Sequence, residues 1–265
     1  MEKLLEIERS IIKKFRPSIW HNFVKAVSNY NLISENDKIA VCISGGKDSF
    51  LLAKCLEELQ KHGKIKFDLE YIIMNPGYTE EVLDKIKNNL ELLNIKAHIF
   101  ESPIFKVVSK EKNPCYLCAK MRRGYLYNYA KELGCNKIAL GHHFDDVIET
   151  ILMNLIYNGM YAGMMPKLKS DNFEGMELIR PLYLVKEQSI LDWVKYNNLS
   201  FIDCACSVTK KNLGKRKEMK ELVKTLKGYY EDADRNIFNS LDNVKLDKVI
   251  SYFEDDTKHN FLDKY

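Results

Sequence analysis

Apolar positions recur near helical spacing at the start of the chain, at Leu4, Leu5, Ile7, Ile11 and Ile12 and again at Trp20, Phe23, Val24 and Val27. Pro17 separates the two runs, so residues 1–35 read as a small helical cap. From Lys38 the period changes. Short β-branched runs at 38–44, 67–74, 96–100 and 137–141 alternate with helical patterns at 49–61, 79–93, 119–133 and 145–157. A fifth strand is expected at 179–182, and further helices at 187–197, 215–226 and 241–253. Strands alternating with helices imply right-handed crossovers and a parallel sheet covered on both faces. The expected class is therefore α/β, a Rossmann-like parallel sheet of about five strands with a helical N-terminal cap and a helical C-terminal extension. Ligands of such sheets bind at the C-terminal strand ends.

One of those ends reads Ser44-Gly45-Gly46-Lys47-Asp48-Ser49, directly after the apolar run Ile39-Ala40-Val41-Cys42-Ile43. Adjacent glycines let backbone N–H groups turn toward one point, because neither carries a Cβ. The following helix adds its positive N-terminal dipole. Lys47 adds a full charge, and Ser44 and Ser49 add hydroxyls. This is an anion site sized for phosphate. It is not a Walker A loop, which needs four residues between its first Gly and Gly-Lys-Ser/Thr.

Composition narrows the field. A length of 265 residues, 46% hydrophobic and 11% aromatic, is that of an ordinary globular chain. The formal net charge of +4 hides an asymmetry. Lys210, Lys211, Lys215, Arg216, Lys217, Lys220, Lys224 and Lys227 crowd one stretch, and after Tyr230 the tail turns acidic. Such a stripe suits an RNA backbone, or is simply a solvated helix face. The N-terminus lacks the apolar core of a signal peptide, and no run approaches the roughly 18 apolar residues of a membrane span. The expected location is cytoplasmic, with no membrane partner. Seven cysteines in that setting point to metal or catalysis rather than disulfides.

Cys115 and Cys118 stand two residues apart just before a helix, where both sulfurs reach one metal and the dipole, with Arg122 and Arg123 a turn on, favours thiolate. Cys204 and Cys206 form a second cluster. Spacing alone leaves three readings open: a structural zinc site, a redox dithiol, or an iron–sulfur cluster on three cysteines with one iron open. Cys42, Cys55 and Cys135 lie in apolar contexts and read as core. A third motif, Gly141-His142-His143-Phe144-Asp145-Asp146 with Glu149, follows the fourth strand. Gly141 allows close backbone approach to a ligand, and His142 and His143 are placed to contact phosphates or shuttle protons. The carboxylates either cap the next helix or hold Mg²⁺ with substrate phosphates.

Taken together, SGGKDS, PCYLCAKMRRGYLYNYAKELG and KIALGHHFDDVIETILMNLIYNG resemble the tRNA 2-thiocytidine synthetase family of the pyrophosphate-loop ATP pyrophosphatases. MPKLKSD (165–171) and IRPL (179–182) extend the match, which covers roughly residues 20–215. The resemblance implies an adenine nucleotide alpha hydrolase-like fold, divided into a helical segment at 1–35, a pyrophosphate-loop catalytic domain at 36–200, and a third-cysteine segment with a basic helix and an acidic helical tail at 201–265. It implies a [4Fe–4S] cluster on Cys115, Cys118 and Cys204, with Cys206, displaced by one residue, the alternative to Cys204. ATP would lie on Ser44, Gly45, Gly46, Lys47, Asp48, Ser49, Gly141 and His142, and Mg²⁺ on Asp48 or an acidic partner. Asp146 matches a catalytic carboxylate and Arg122 a basic catalytic position of the related thiouridine enzymes. The family's Arg after the paired histidines is Phe144 here.

The implied reaction adenylates the C2 oxygen of a tRNA base, cytidine before wobble uridine. Pyrophosphate is released, and sulfur then displaces AMP. A cysteine desulfurase or free sulfide would supply the sulfur, and family members often pair as homodimers. Three other readings stay open: C–N bond formation after adenylation as in lysidine or NAD synthetases, sulfur insertion into a small molecule, and a non-catalytic nucleotide or iron–sulfur sensor.

Overall fold

In the computed structural model, which describes residues 2–108, 114–202, 210–254 and 256–264, period-two alternation in the first strand sorts its side chains onto two cores. In β1 (Lys38–Cys42), Ile39 and Val41 face one helical layer, while Ala40 and Cys42 face the other. The first layer contains α1 (Glu2–Ile12), α2 (His21–Asn29) and α3 (Lys47–His62), whose Ile7, Ile11, Phe23, Phe50 and Leu51 share one core with β1. The second contains α6 (Pro114–Glu132), which contributes Leu126 and Ala130. A strand buried on both faces is the pattern of a covered parallel sheet.

The sheet has six strands in the order β3-β2-β1-β4-β6-β5. β2 (Asp68–Asn75), β3 (Ala97–Glu101), β4 (Lys137–Ala139) and β6 (Glu177–Ile179) extend β1 in parallel. The short edge strand β5 (Lys167–Lys169) runs antiparallel to β6. The chain leaves β1 toward β2 and β3 on one side and returns through β4 and β6 on the other. Strand order therefore switches between β1 and β4. Their register pairs Val41 with Ala139, so the two loops that follow leave the sheet side by side, in the crevice where such folds bind ligands. Crossovers are made by α3, by α4 (Glu80–Leu92), by α5 (Ile104–Val108) with α6, and by α7 (Phe144–Asn158).

Three expectations change. The sheet has six strands rather than five. The strand expected at 179–182 ends at Ile179, because Arg180 and Leu182 carbonyls accept turn hydrogen bonds from Tyr183 and Val185 and Pro181 has no N–H to give. The helix expected at 241–253 does not form. After α8 (Glu187–Tyr196), α9 (Lys210–Tyr229) and α10 (Ala233–Asn239) come a 3₁₀ turn and a hairpin of β7 (Ser251–Glu254) and β8 (Thr257–Asn260). Ser240 and Asn243 side chains bond back to the Ile237 and Asn239 carbonyls and end α10. Val249 to Phe253 is β-branched and aromatic, and Asp256 takes the left-handed turn at φ 63°. The acidic tail is therefore helical only over α10 and ends in a hairpin. The N-terminal cap forms as expected, its two helices joined by a π turn at Arg16–Trp20 that carries Pro17.

Candidate active site

The loop after β1 is built to stay open at the start of α3. Gly46 is the N-cap and no side chain caps the helix, so its first N–H groups are left for an anion. Gly45 has φ +89°, and a Cβ there would meet Ile202 at 2.5 Å and Ile86 at 2.9 Å. Ser49 is buried and works inside the loop: its Oγ donates to the Gly46 carbonyl at 2.8 Å and accepts from Ser44 N–H at 3.2 Å. Ser49 thus staples the loop; its Oγ also accepts from the exposed Ser44 hydroxyl at 3.4 Å, and Lys47 Nζ pairs with Asp48 and Glu187. Gly141 serves the same packing. A Cβ on it would lie 3.0 Å from the Asp48 carbonyl carbon and Ser49 nitrogen, so this glycine lets the β4–α7 loop press against the phosphate loop's own backbone.

That contact brings the third motif to the first. His143 Nε2 stands between Asp48 Oδ1 at 3.8 Å and Asp146 Oδ2 at 3.5 Å. Asp146 Oδ2 accepts from His143 N–H at 3.0 Å, the capping role, and Asp146 Oδ1 pairs with Arg216 at 3.1 Å. Asp145 caps a different helix: its Oδ2 accepts from Glu187 N–H at 2.7 Å at the start of α8. His142 accepts at Nδ1 from Arg180 Nε–H at 3.4 Å, which leaves its Nε2 as the donor. Burial, helped by Arg180 and Arg216, pushes His142 down to about 4, so it is neutral at physiological pH.

Burial also sets the charge of the carboxylates. It raises Asp48 above the usual range, with Asp146 adding to it against the pull of His143 and Lys47. It raises Glu149 to about 7, again with Asp146 adding. For Asp146 itself burial is outweighed by His143, His142 and Arg216, and its pKa is lowered. Burial works against the charge on Lys47, but Asp48 and Glu187 overcome it and its pKa is raised. Asp48 Oδ1 and Glu149 Oε1 are both buried without a hydrogen-bond partner. Lys47 Nζ lies 3.2 Å from Asp48 Oδ1, and Lys220 Nζ 3.9 Å from Glu149 Oε1; carboxylate oxygens of this kind suit Mg²⁺, which takes one or two carboxylates and completes its shell with water and substrate phosphates. No group of three acidic, His or Cys side chains forms a ready-made metal site among the described residues.

Four participants were not singled out from the sequence as site residues. Glu187 begins α8 and pairs with Lys47 at 3.1 Å. Lys220 pairs with Glu187 at 2.7 Å and lies 3.9 Å from Glu149. Arg216 and Arg180 are the others. Arg216 and Lys220 belong to the basic stripe, whose crowding of charge is plain in the sequence but whose target is not. Cys115 and Cys118 fall in the first turn of α6, which opens on Pro114. Their side chains, and all of Cys204 and Cys206, lie outside the described residues. Arg122 sits two turns into α6, half-buried. Cys42, Cys55 and Cys135 are free and buried.

Residues 16–213 match the PP-loop domain family model. The tRNA-cytidine(32) 2-sulfurtransferase of Geobacter metallireducens is 36% identical over 237 residues, 88% of this chain and 91% of that protein. The protein of the same name from Aliivibrio fischeri is 35% identical over 251 residues, 92% of this chain and 80% of its own. The chain belongs to the tRNA-cytidine(32) 2-sulfurtransferase family. Among solved structures, the U34-tRNA thiolase NcsA of Methanococcus maripaludis with its [4Fe–4S] cluster superposes with a TM-score of 0.66 over 85% of this chain and 79% of that one, at 24% identity, a likeness of fold.

Within this family the chain's Phe144 has a local explanation. It is buried and stacks on Phe238 of α10 at 4.7 Å between ring centroids, and Lys186 Nζ lies 5.3 Å over its ring. Lys186 in turn pairs with Asp234 at 2.6 Å. Phe144 thus seats α10 on α7, with the Lys186 ammonium held between its ring and Asp234.

Proposed function

We propose that this protein thiolates cytidine 32 of tRNA by adenylating the C2 oxygen of the base with ATP and displacing AMP with sulfur. The observation that carries the reading is the uncapped start of α3 with Lys47 and Asp48 in its first turn, together with buried oxygens of Asp48 and Glu149 that accept no hydrogen bond. That arrangement holds a phosphate chain and a divalent cation at one end of a sheet crevice. The names of the relatives supply the substrate class.

The loop N–H groups, Ser44 and Lys47 bind the β- and γ-phosphates, and Asp48 with Glu149 hold Mg²⁺. The base oxygen attacks the α-phosphorus, the α–β bridging P–O bond breaks, and pyrophosphate leaves with its electrons. Hydrosulfide then adds to C2, the C2–O bond breaks, AMP departs and the thiocarbonyl remains. Asp146, held ionised, and neutral His142, with Nε2–H to donate, flank the reacting atoms, and Arg122 lies on the helix that begins with the thiols. Three thiolates from Cys115, Cys118 and Cys204 suit a [4Fe–4S] cluster with one open iron. When bound, that cluster would supply a site for activating sulfide. The rate gain is positional and electrostatic.

The test is nucleoside mass spectrometry of tRNA from cells with and without the gene, rescued by wild type or by Cys115→Ala. Loss of 2-thiocytidine restored only by wild type supports the reading. Unchanged thionucleosides overturn it.

A further inference from the structure

The basic helix α9 exposes its Lys and Arg side chains from Lys215 to Lys227, but its other face is packed. Met219 is buried and packs with Leu222 and Val223 into the core that contains Val147, Ile151 and Leu152 of α7. Tyr157 of α7 also bonds Glu218. These contacts fix the helix against α7 and turn two cations one turn apart, Arg216 and Lys220, onto the active-site carboxylates.

Glu187 is the joint. One oxygen pairs with Lys47 Nζ at 3.1 Å and the other with Lys220 Nζ at 2.7 Å. A single carboxylate thus sets the lysine of the phosphate loop and a lysine of α9 side by side. A second protein cation would serve the site beside any metal that the phosphates carry. Asp48, Asp145, Asp146, Glu149 and Glu187 crowd it with carboxyl groups, and Lys47 is the one full cation that the described phosphate loop provides. A polyphosphate entering among those acids would be repelled unless further positive charge stood at the phosphates.

We propose that Lys220, with Arg216 beside it, is a phosphate-binding residue of the nucleotide site, held in register with Lys47 by Glu187, so that α9 forms one wall of the ATP pocket. This rests on the ATP-dependent reading above. In the nucleotide-free arrangement Glu187 and Asp146 hold the two cations in place. When the phosphate chain arrives, its oxygens take over as the acceptors without a movement of the helix. Glu187 is a positioning residue in this scheme.

The experiment is calorimetric binding of the magnesium complex of AMPCPP, the ATP analogue with a methylene between the α- and β-phosphorus, and of AMP, to the full chain. Wild type, Lys220→Met, Lys220→Arg and Lys47→Ala are compared. A charge-assisted contact of the usual strength predicts that Lys220→Met weakens AMPCPP binding about tenfold or more. AMP, which lacks the β- and γ-phosphates, should bind as before, and Lys220→Arg should recover most of the loss. Wild type that binds AMPCPP while Lys220→Met binds it equally well overturns the inference and leaves the ATP reading standing. Equal losses for AMP and AMPCPP also overturn it, because they mark general damage to the pocket. Wild type that binds no AMPCPP overturns the ATP reading itself.

Discussion

Replacing Glu149 by Gln should make the metal-free protein more stable at neutral and alkaline pH. Glu149 is 3% exposed, its Oε1 is buried without a hydrogen bond, and its nearest cation, Lys220, is 3.9 Å away. Burial first, and the charge of Asp146 second, raise it from an ordinary 4.5 to about 7. The sign follows from where the proton sits. Below 4.5 both folded and unfolded chains hold it. Between 4.5 and 7 the folded chain keeps the proton and the unfolded chain has lost it, so stability falls as pH rises through that window. Above 7 the full cost stands, about 3 kcal/mol. Gln keeps the shape and carries no proton to lose. For a chain of this size, thermal unfolding in EDTA should show the variant gaining on wild type by about 5 °C between pH 5 and pH 8. Melting curves with a constant offset across that range, or a variant less stable at pH 8, would refute the account. Either result would mean that the fold pairs the Glu149 carboxylate after all.

Lys47→Ala should lower the rate of pyrophosphate release by on the order of 10²–10³, read in a coupled pyrophosphate assay with tRNA, while the melting temperature moves little. Gly45→Ala places a Cβ 2.5 Å from Ile202 at a φ of +89°, so it should cost about 1–3 kcal/mol and lower the urea midpoint. Lys54, 1% exposed, pairs with Glu8 at 2.6 Å and with Glu57. Lys54→Met should destabilise by about 3 kcal/mol in urea unfolding, and adding Glu8→Gln should return part of that loss.

The fold was legible because its signals are local. Apolar alternation in β1 and the helical spacing of α3 and α4 survive in the structure with shifts of a residue or two at their ends. The failure at 241–253 has the same origin. Apolar residues there recur near helical spacing, but the Ser240 and Asn243 side chains bond the local backbone and the aromatic run pairs as a hairpin. In the candidate site, Ser44 to Ser49, Gly141, His142 and Asp146 announce themselves by glycine and charge next to a strand end, and the structure brings these loops together. Residues delivered from far along the chain give no such signal. Glu187 lies 140 positions from Lys47, and Arg216 lies 70 from Asp146. Their charges are ordinary for exposed helix ends, and only packing reveals their direction. Two of the residues next to strand ends also do work inside the fold that the sequence does not announce: Ser49 bonds the Gly46 carbonyl within the loop, and Gly141 makes room for the Asp48–Ser49 backbone.

The two kinds of carboxylate in this site separate by what the fold already asks of them. Asp145 and Asp146 each accept a backbone N–H at the start of a helix, α8 and α7 respectively, and such caps contribute about 1 kcal/mol apiece. Their position is therefore explained by folding whether or not a ligand binds. Asp48 and Glu149 have no such explanation. Each buries an oxygen that accepts no hydrogen bond and has only a lysine ammonium near it, Lys47 at 3.2 Å from Asp48 Oδ1 and Lys220 at 3.9 Å from Glu149 Oε1; this costs stability, and burial raises the pKa of both carboxyls. A fold tolerates that strain where the bound state relieves it, and a divalent cation carried by a phosphate chain is the group that would. The helix caps fix the geometry of the crevice, and the unsatisfied pair marks where its charge is to be met.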